Sequence, residues 1–226
     1  GCVADSDWLK NIVKPIETGR VDIVAGFYRM TGTDPVNRAM SVFLGVTPKN
    51  FNHNFLPSTR SVAFTKKAWE EIGGFPEGEN NSAEDTDFNY KAVKLGMKYS
   101  RVKNAIVEWG MPKTIKDFFE KIKAYAKWDA RYGIWWHPTQ RLMSHNIKSL
   151  SKFLRYLLAL VLLVISIRNS RLFPLLIFYI LIYLIWSFRK VYLEFNDWRV
   201  AIWGPVVQVT SDLAVMEGFI SGIISK

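Results

Sequence analysis

Ser82-Ala83-Glu84-Asp85-Thr86-Asp87 places three carboxylates within four residues. A serine followed by acidic residues and then an apolar stripe marks the first turn of a helix. Unpaired backbone N–H groups and the positive end of the helix dipole stabilise anions there. The spacing therefore predicts carboxylates that stay ionised at neutral pH and can take a proton from a hydroxyl. A plain helix N-terminus makes the same demands, so the cluster alone leaves chemistry and capping both open.

Other reactive residue types are sparse. Cys2 is the single cysteine, which excludes a disulfide scaffold. His53, His137 and His145 share no metal-ligand spacing and read as polar loop or surface residues, so no zinc cluster is expected. Trp135-Trp136-His137-Pro138 suits either stacking on a sugar ring or anchoring at a membrane interface. No Walker or dinucleotide phosphate loop is present.

The elements that must hold the acidic turn alternate between strand and helix. Trp8, Leu9, Ile12 and Val13 have helical spacing, with Asp5 or Ser6 as cap. Residues 21–30 and 61–64 read as strands, and 66–72 as a short helix stopped by Gly73-Gly74. Ser82 is the expected cap of a helix whose stripe is Phe88, Ala92 and Leu95 and whose end is Gly96. Residues 105–109 form another strand. Short strands separated by helices predict a layered α/β domain. From 114 to 132, Ile115, Phe118, Phe119, Ile122, Tyr125, Ala126 and Asp129 share one helical face. Lys116, Lys121, Lys123 and Lys127 lie mostly on the other, as in a helix lying among lipid headgroups or one packed on the domain.

Charge and hydropathy divide the chain. Of the net +10, residues 1–110 supply only +1 (14 basic, 13 acidic), whereas residues 111–155 supply +7 (10 basic, 3 acidic). Beyond this belt, residues 153–167 hold one charge, Arg155, and residues 172–188 none. Both runs approach the length of a bilayer span, the first extended to Leu150 if Lys152 and Arg155 snorkel. Tyr156, Tyr179, Tyr183 and Trp186 are expected as headgroup-level anchors. The stretch 201–224, interrupted by Asp212 and Glu217, leaves spanning, re-entrant and interfacial placements open; Gly218 and Gly222 have the spacing for close helix packing and favour a helix packed on those two. The basic belt adjoins these runs, so lipid phosphate rather than nucleic acid is its expected partner.

In order along the chain, Trp69-Glu70-Glu71-Ile72-Gly73-Gly74-Phe75, Glu84-Asp85-Thr86-Asp87 and a helix ending at Gly96 resemble the family 2 glycosyltransferases. Gly1-Cys2 with Asp7-Trp8-Leu9 resembles the end of an earlier segment of that family. The resemblance covers roughly residues 1–150 and implies a partial GT-A-type α/β domain. That domain would occupy 1–112, followed by a basic interfacial region at 113–150 and transmembrane helices at 151–226.

The resemblance further implies inverting sugar transfer from a nucleotide-sugar donor to a lipid-linked or polysaccharide acceptor. Asp85 takes the role of general base. Glu84, Asp87 and Arg60 become acceptor or substrate contacts. Trp128 and Arg131 join them, and Lys127 becomes a donor-phosphate contact, from the place where processive members carry Gln-x-x-Arg-Trp. Ala124 and Lys127 replace that Gln and Arg, which disfavours a processive synthase. The nucleotide-binding half, with the aspartates that hold Mg²⁺ or Mn²⁺, is then expected before Gly1. The chain accordingly reads as the back half of a larger enzyme, inactive alone, with its domain in the cytoplasm and its helices in the cell membrane. A non-catalytic, membrane-anchored docking protein is the alternative.

Overall fold

The computed structural model describes residues 1–76, 82–133, 135–136 and 144–225. Four strands form one mixed sheet in the order β1-β4-β2-β3. These are β1 (Cys2–Ala4), β2 (Ile23–Thr31), β3 (Val62–Phe64) and β4 (Tyr99–Gly110). The central pair, β2 and β4, is parallel and slips register between Gly26 and Phe27; β1 and β3 flank it antiparallel. β4 begins six residues earlier than the apolar run at 105–109 suggests, because parallel pairing with β2 carries the polar stretch Tyr99–Lys103 along.

One face of the sheet is covered by α1 (Trp8–Glu17), where Ile12 packs on Val24 and Ala105. α3 (Lys66–Ile72) and α4 (Glu84–Lys94) enclose Ile23 with Ala68, Ile72, Phe88 and Ala92. Gly73 ends α3 with a φ of 86°, a left-handed turn in which other residues are strained. The helix starts differ from expectation. Asp7 stands at the cap of α1 and Ala83 at that of α4, neither with a capping side chain, so Ser82 does not cap.

The sequence reading leaves α2 (Pro35–Leu44) unassigned; Asp34 caps it by accepting from the Val36 and Asn37 N–H groups at 2.9 Å, ahead of Pro35. α2 and α5 (Ile115–Arg131) lie between the sheet and the apolar helices. There Met40, Phe118, Ile122, Val191, Val200 and Val207 share one core.

The chain then forms α6 (His145–Arg168), α7 (Phe173–Phe195), the single turn α8 (Trp198–Ala201) and α9 (Gly204–Ile224). Three segments, His145–Arg168, Ser170–Phe195 and Trp198–Ile224, are long and apolar enough to cross a membrane. α9 does not pack only on the other two: it runs along α5, with Gly218 against the Lys123 carbonyl and Gly222 against the Lys127 carbonyl. Glu217 pairs with Lys123 beside that contact.

The expected snorkelling of Arg155 is overturned. Its guanidinium turns inward to the fully buried Asp212, at 2.7 Å. The tyrosine hydroxyls also find partners within the protein. Tyr183 donates to Asp212 at 3.0 Å, its hydroxyl lies 3.3 Å from that of Tyr156, and Tyr179 donates to the Arg155 carbonyl. A carboxylate enclosed among apolar helices must be charge-paired and hydrogen-bonded, and these groups meet that need.

Candidate active site

The first turn of α4 and the 56–60 loop open onto a cleft closed on its far side by α5 and the start of α6. Two chambers of about 480 and 610 Å³ meet there, and both are lined by Ser58, Asp85, Thr86 and His145.

Asp85 stands at the junction. Burial pushes its carboxyl up to about 6, and Glu84 and Asp129 add to that rise; Arg60 and the Thr59 N–H oppose it. Desolvation thus outweighs the helix-end stabilisation expected of an acidic first turn. Below the carboxylate, Asn89 fixes the turn, its amide donating to the Asp85 and Pro57 carbonyls at 2.6 and 2.7 Å. The Tyr99 hydroxyl completes this bracket by donating to Asn89 Oδ1 at 3.0 Å.

The three carboxylates diverge. Glu84 Oε1 accepts from the Thr59 hydroxyl at 3.3 Å, while Asp87 turns away to Lys91 at 2.7 Å and lines neither chamber. Glu84 Oε2 is buried without a hydrogen-bond partner among the described residues. Such an oxygen is costly unless a ligand donates to it. Since the carboxylates point apart, they do not fit a divalent cation. Among the described residues no three His, Cys, Asp or Glu side chains converge as a metal site.

Arg60 lines the larger chamber with Asp85, and its charge reaches that carboxyl. It stacks over Trp109 at 3.8 Å and donates to the Tyr125 hydroxyl at 2.8 Å. The helix α5 presents a different face from the expected one. Lys121, Tyr125 and Asp129, each four residues apart, line the cleft. Lys127, Trp128 and Arg131 do not. Arg131 lies over Trp128 and donates to the Ser225 carbonyl, on the side that α9 covers. Burial and neighbouring Arg60 hold Lys121 below the usual ammonium range.

His145 is exposed, as expected, and its Nδ1 also lies 2.7 Å from Asp129 Oδ2 at the cleft wall. His53 is exposed, as expected, and His137 lies outside the described residues. Trp135 and Trp136 are exposed, and Trp135 meets Phe219 edge-on. Asp129 was the detectable signal for this wall, a lone acid within an otherwise apolar helical stripe.

A mixed α/β sheet thus carries a carboxylate raised by desolvation at a polar cleft and is joined to helices long and apolar enough to cross a membrane. The pattern of glycosyl transferase family group 2 matches residues 6–189, from the start of α1 well into α7, and the chain belongs to that family. No curated protein matches the chain significantly.

Proposed function

We infer that the protein transfers a sugar, with inversion, from a nucleotide-sugar donor to an acceptor hydroxyl, and that Asp85 is the general base. In this reading the sheet and its helices are the acceptor-side portion of a GT-A-type domain. α6 and α7 form a membrane hairpin whose outer flanks, basic at Lys148, Lys152, Arg189 and Lys190, hold the domain on the cytoplasmic side.

The observation that carries the assignment is the Asp85 carboxyl, half-buried at the junction of two chambers and raised to about 6. A base with a value slightly below the working pH is ionised yet retains driving force for proton transfer. The acceptor hydroxyl gives its proton to Asp85 as its oxygen bonds to the anomeric carbon. The bond from that carbon to the nucleoside diphosphate breaks on the opposite face, and its electron pair leaves on the diphosphate oxygen. Glu84 Oε2 is the acceptor for a second substrate hydroxyl, and Arg60 contributes positive charge beside the reacting centre.

The test is sugar transfer by the full-length protein and its Asp85→Asn variant. Loss of a general base is expected to slow transfer by about 10²–10⁴-fold. Undiminished transfer by Asp85→Asn removes the assignment.

A further inference from the structure

The segment Trp198–Ile224 is long and apolar enough to cross a membrane, yet both of its ends are fastened to the domain. At its start, Asp197 pairs with Arg38 of α2 at 3.3 Å, and Val200 and Ala201 share a core with Met40 and Phe118. At its far end, Arg131 of α5 donates to the Ser225 carbonyl at 2.9 Å. Between these ties α9 extends about 30 Å. It lies along α5, with Gly218 and Gly222 against that helix's backbone and Glu217 paired with Lys123.

α5 is too highly charged to enter hydrocarbon. It carries Lys116, Asp117, Glu120 and Lys127, and its Lys121, Tyr125 and Asp129 line the polar cleft. A helix laid lengthwise on it and tied at both ends stays at the depth of the domain. Burial agrees: within its most apolar stretch 44% of this segment is enclosed, against 6% and 11% for the two preceding segments. Opposite the two glycines runs one exposed stripe, Val206, Leu213 and Ile220, seven residues apart. A helix enclosed on its other sides, with a single apolar line left open, suits the boundary between lipid headgroups and acyl chains.

We propose that the segment 198–224 does not cross the bilayer but rests on it from the domain's side, with the Val206–Leu213–Ile220 stripe in the headgroup–acyl boundary. The proposal rests on the reading of α6 and α7 as a membrane hairpin, and it leaves two crossings where apolar length offers three. Asp212 of α9 holds Arg155 of α6 and Tyr183 of α7, so the lipid around the hairpin continues onto the stripe. The bilayer then backs α5 through α9, supporting from behind the helix that presents Lys121, Tyr125 and Asp129 to the cleft.

The experiment uses the full-length protein in sealed vesicles of known orientation, with the single, exposed cysteine removed as Cys2→Ser. A membrane-impermeant maleimide is offered to Lys66→Cys in the domain, Ser170→Cys between α6 and α7, and Ser225→Cys after α9. Lys66→Cys and Ser225→Cys are expected to react from one side of the vesicle, and Ser170→Cys only from the other. Reaction of Ser225→Cys from the side opposite Lys66→Cys overturns the proposal. Depth is then read from nitroxides attached to Leu213→Cys and Ile180→Cys, by access of oxygen against a water-soluble nickel complex. The Leu213 site is expected about 5–10 Å into the bilayer, and the Ile180 site, midway along α7, near its centre at about 15 Å. A Leu213 site as deep as the Ile180 site, or one open to water, also overturns the proposal. The hairpin reading is judged separately. It fails if Ser170→Cys reacts from the domain's side and the Ile180 site lies in water, whereas Ser225 and Leu213 alone decide the placement of α9.

Discussion

Asp129 and His145 join the cleft to the apolar helices: carboxylate Oδ2 and imidazole Nδ1 lie 2.7 Å apart, across the junction of α5 and α6. The adjacent Asn146 amide donates to the Asp129 carbonyl at 3.2 Å, so α6 is tied to α5 by two consecutive residues. A carboxylate on Nδ1 fixes the imidazole tautomer and orients the ring, leaving Nε2 as the group for a ligand. The charge of Asp129 also reaches Asp85, so the same residue that fixes the wall helps set the carboxylate at its centre.

The pH dependence of transfer follows from Asp85. With its carboxyl at about 6, the base form is lost as pH falls through that value. The rate is then expected to drop about tenfold per pH unit on the acid side. Glu84→Gln and Asp129→Asn each remove a negative neighbour and should move this acid limb to lower pH. Arg60→Met removes the opposing cation and should move it higher. The measurement is kcat/KM against pH for each variant; acid limbs that coincide would show that Asp85 does not set the profile.

Asp85 also costs stability, and the sign is definite. Its carboxyl is raised in the folded chain above its ordinary value of 3.8, so folding favours the protonated form. The cost is absent below the unfolded value, grows as pH rises, and is complete above about 6. Asp85→Asn resembles the protonated state at every pH. It should therefore stabilise the fold at pH 7 by on the order of 1–3 kcal/mol while transfer collapses. Thermal unfolding of both proteins at pH 4 and pH 7 checks this, with the difference expected at pH 7 and nearly absent at pH 4.

Local signals were legible where one stretch of chain determines its own structure. The three- and four-residue spacing of Ile115, Phe118, Phe119 and Ile122 marks α5, and Gly73 marks the end of α3. Asp85 is found because its turn is contiguous. What escapes depends on partners far along the chain. Arg155 alone in an apolar run suggests snorkelling until Asp212, 57 residues later, is seen to receive it. Lys127, Trp128 and Arg131 seem suited to a site by position, but α9 packs where they emerge and leaves Lys121, Tyr125 and Asp129 to face the cleft. Helical periodicity identifies a face of α5 but not which neighbour covers it.

The close approach of α9 to α5 predicts intolerance at two glycines. A Cβ at Gly218 or Gly222 would meet backbone carbonyl oxygens of Lys123 or Lys127, atoms that no side-chain rotation can move aside. Gly218→Ala and Gly222→Ala are each expected to cost about 1–3 kcal/mol and, by shifting the helix that carries Tyr125 and Asp129, to lower transfer. Gly110 has nothing within 4 Å of a Cβ, so Gly110→Ala serves as the tolerant control. Unfolding midpoints in detergent distinguish the three; equal midpoints would show that α9 does not press on α5.

The last prediction concerns the polar bracket among the apolar helices. Asp212 is fully buried and accepts from Arg155 at 2.7 Å, Gln208 at 2.9 Å and Tyr183 at 3.0 Å, drawing α6, α7 and α9 onto one carboxylate. Removing only the cation leaves a desolvated negative charge, so Arg155→Met should destabilise by about 3–5 kcal/mol. Removing both charges takes away the penalty along with the attraction. Arg155→Met combined with Asp212→Leu is therefore expected to recover most of that loss, because an apolar pair of similar volume needs no hydrogen-bond partners. Unfolding of the wild type, both single variants and the double variant forms a complete cycle. A double variant whose loss equals the sum of the two single losses would mean that the bracket carries no coupling.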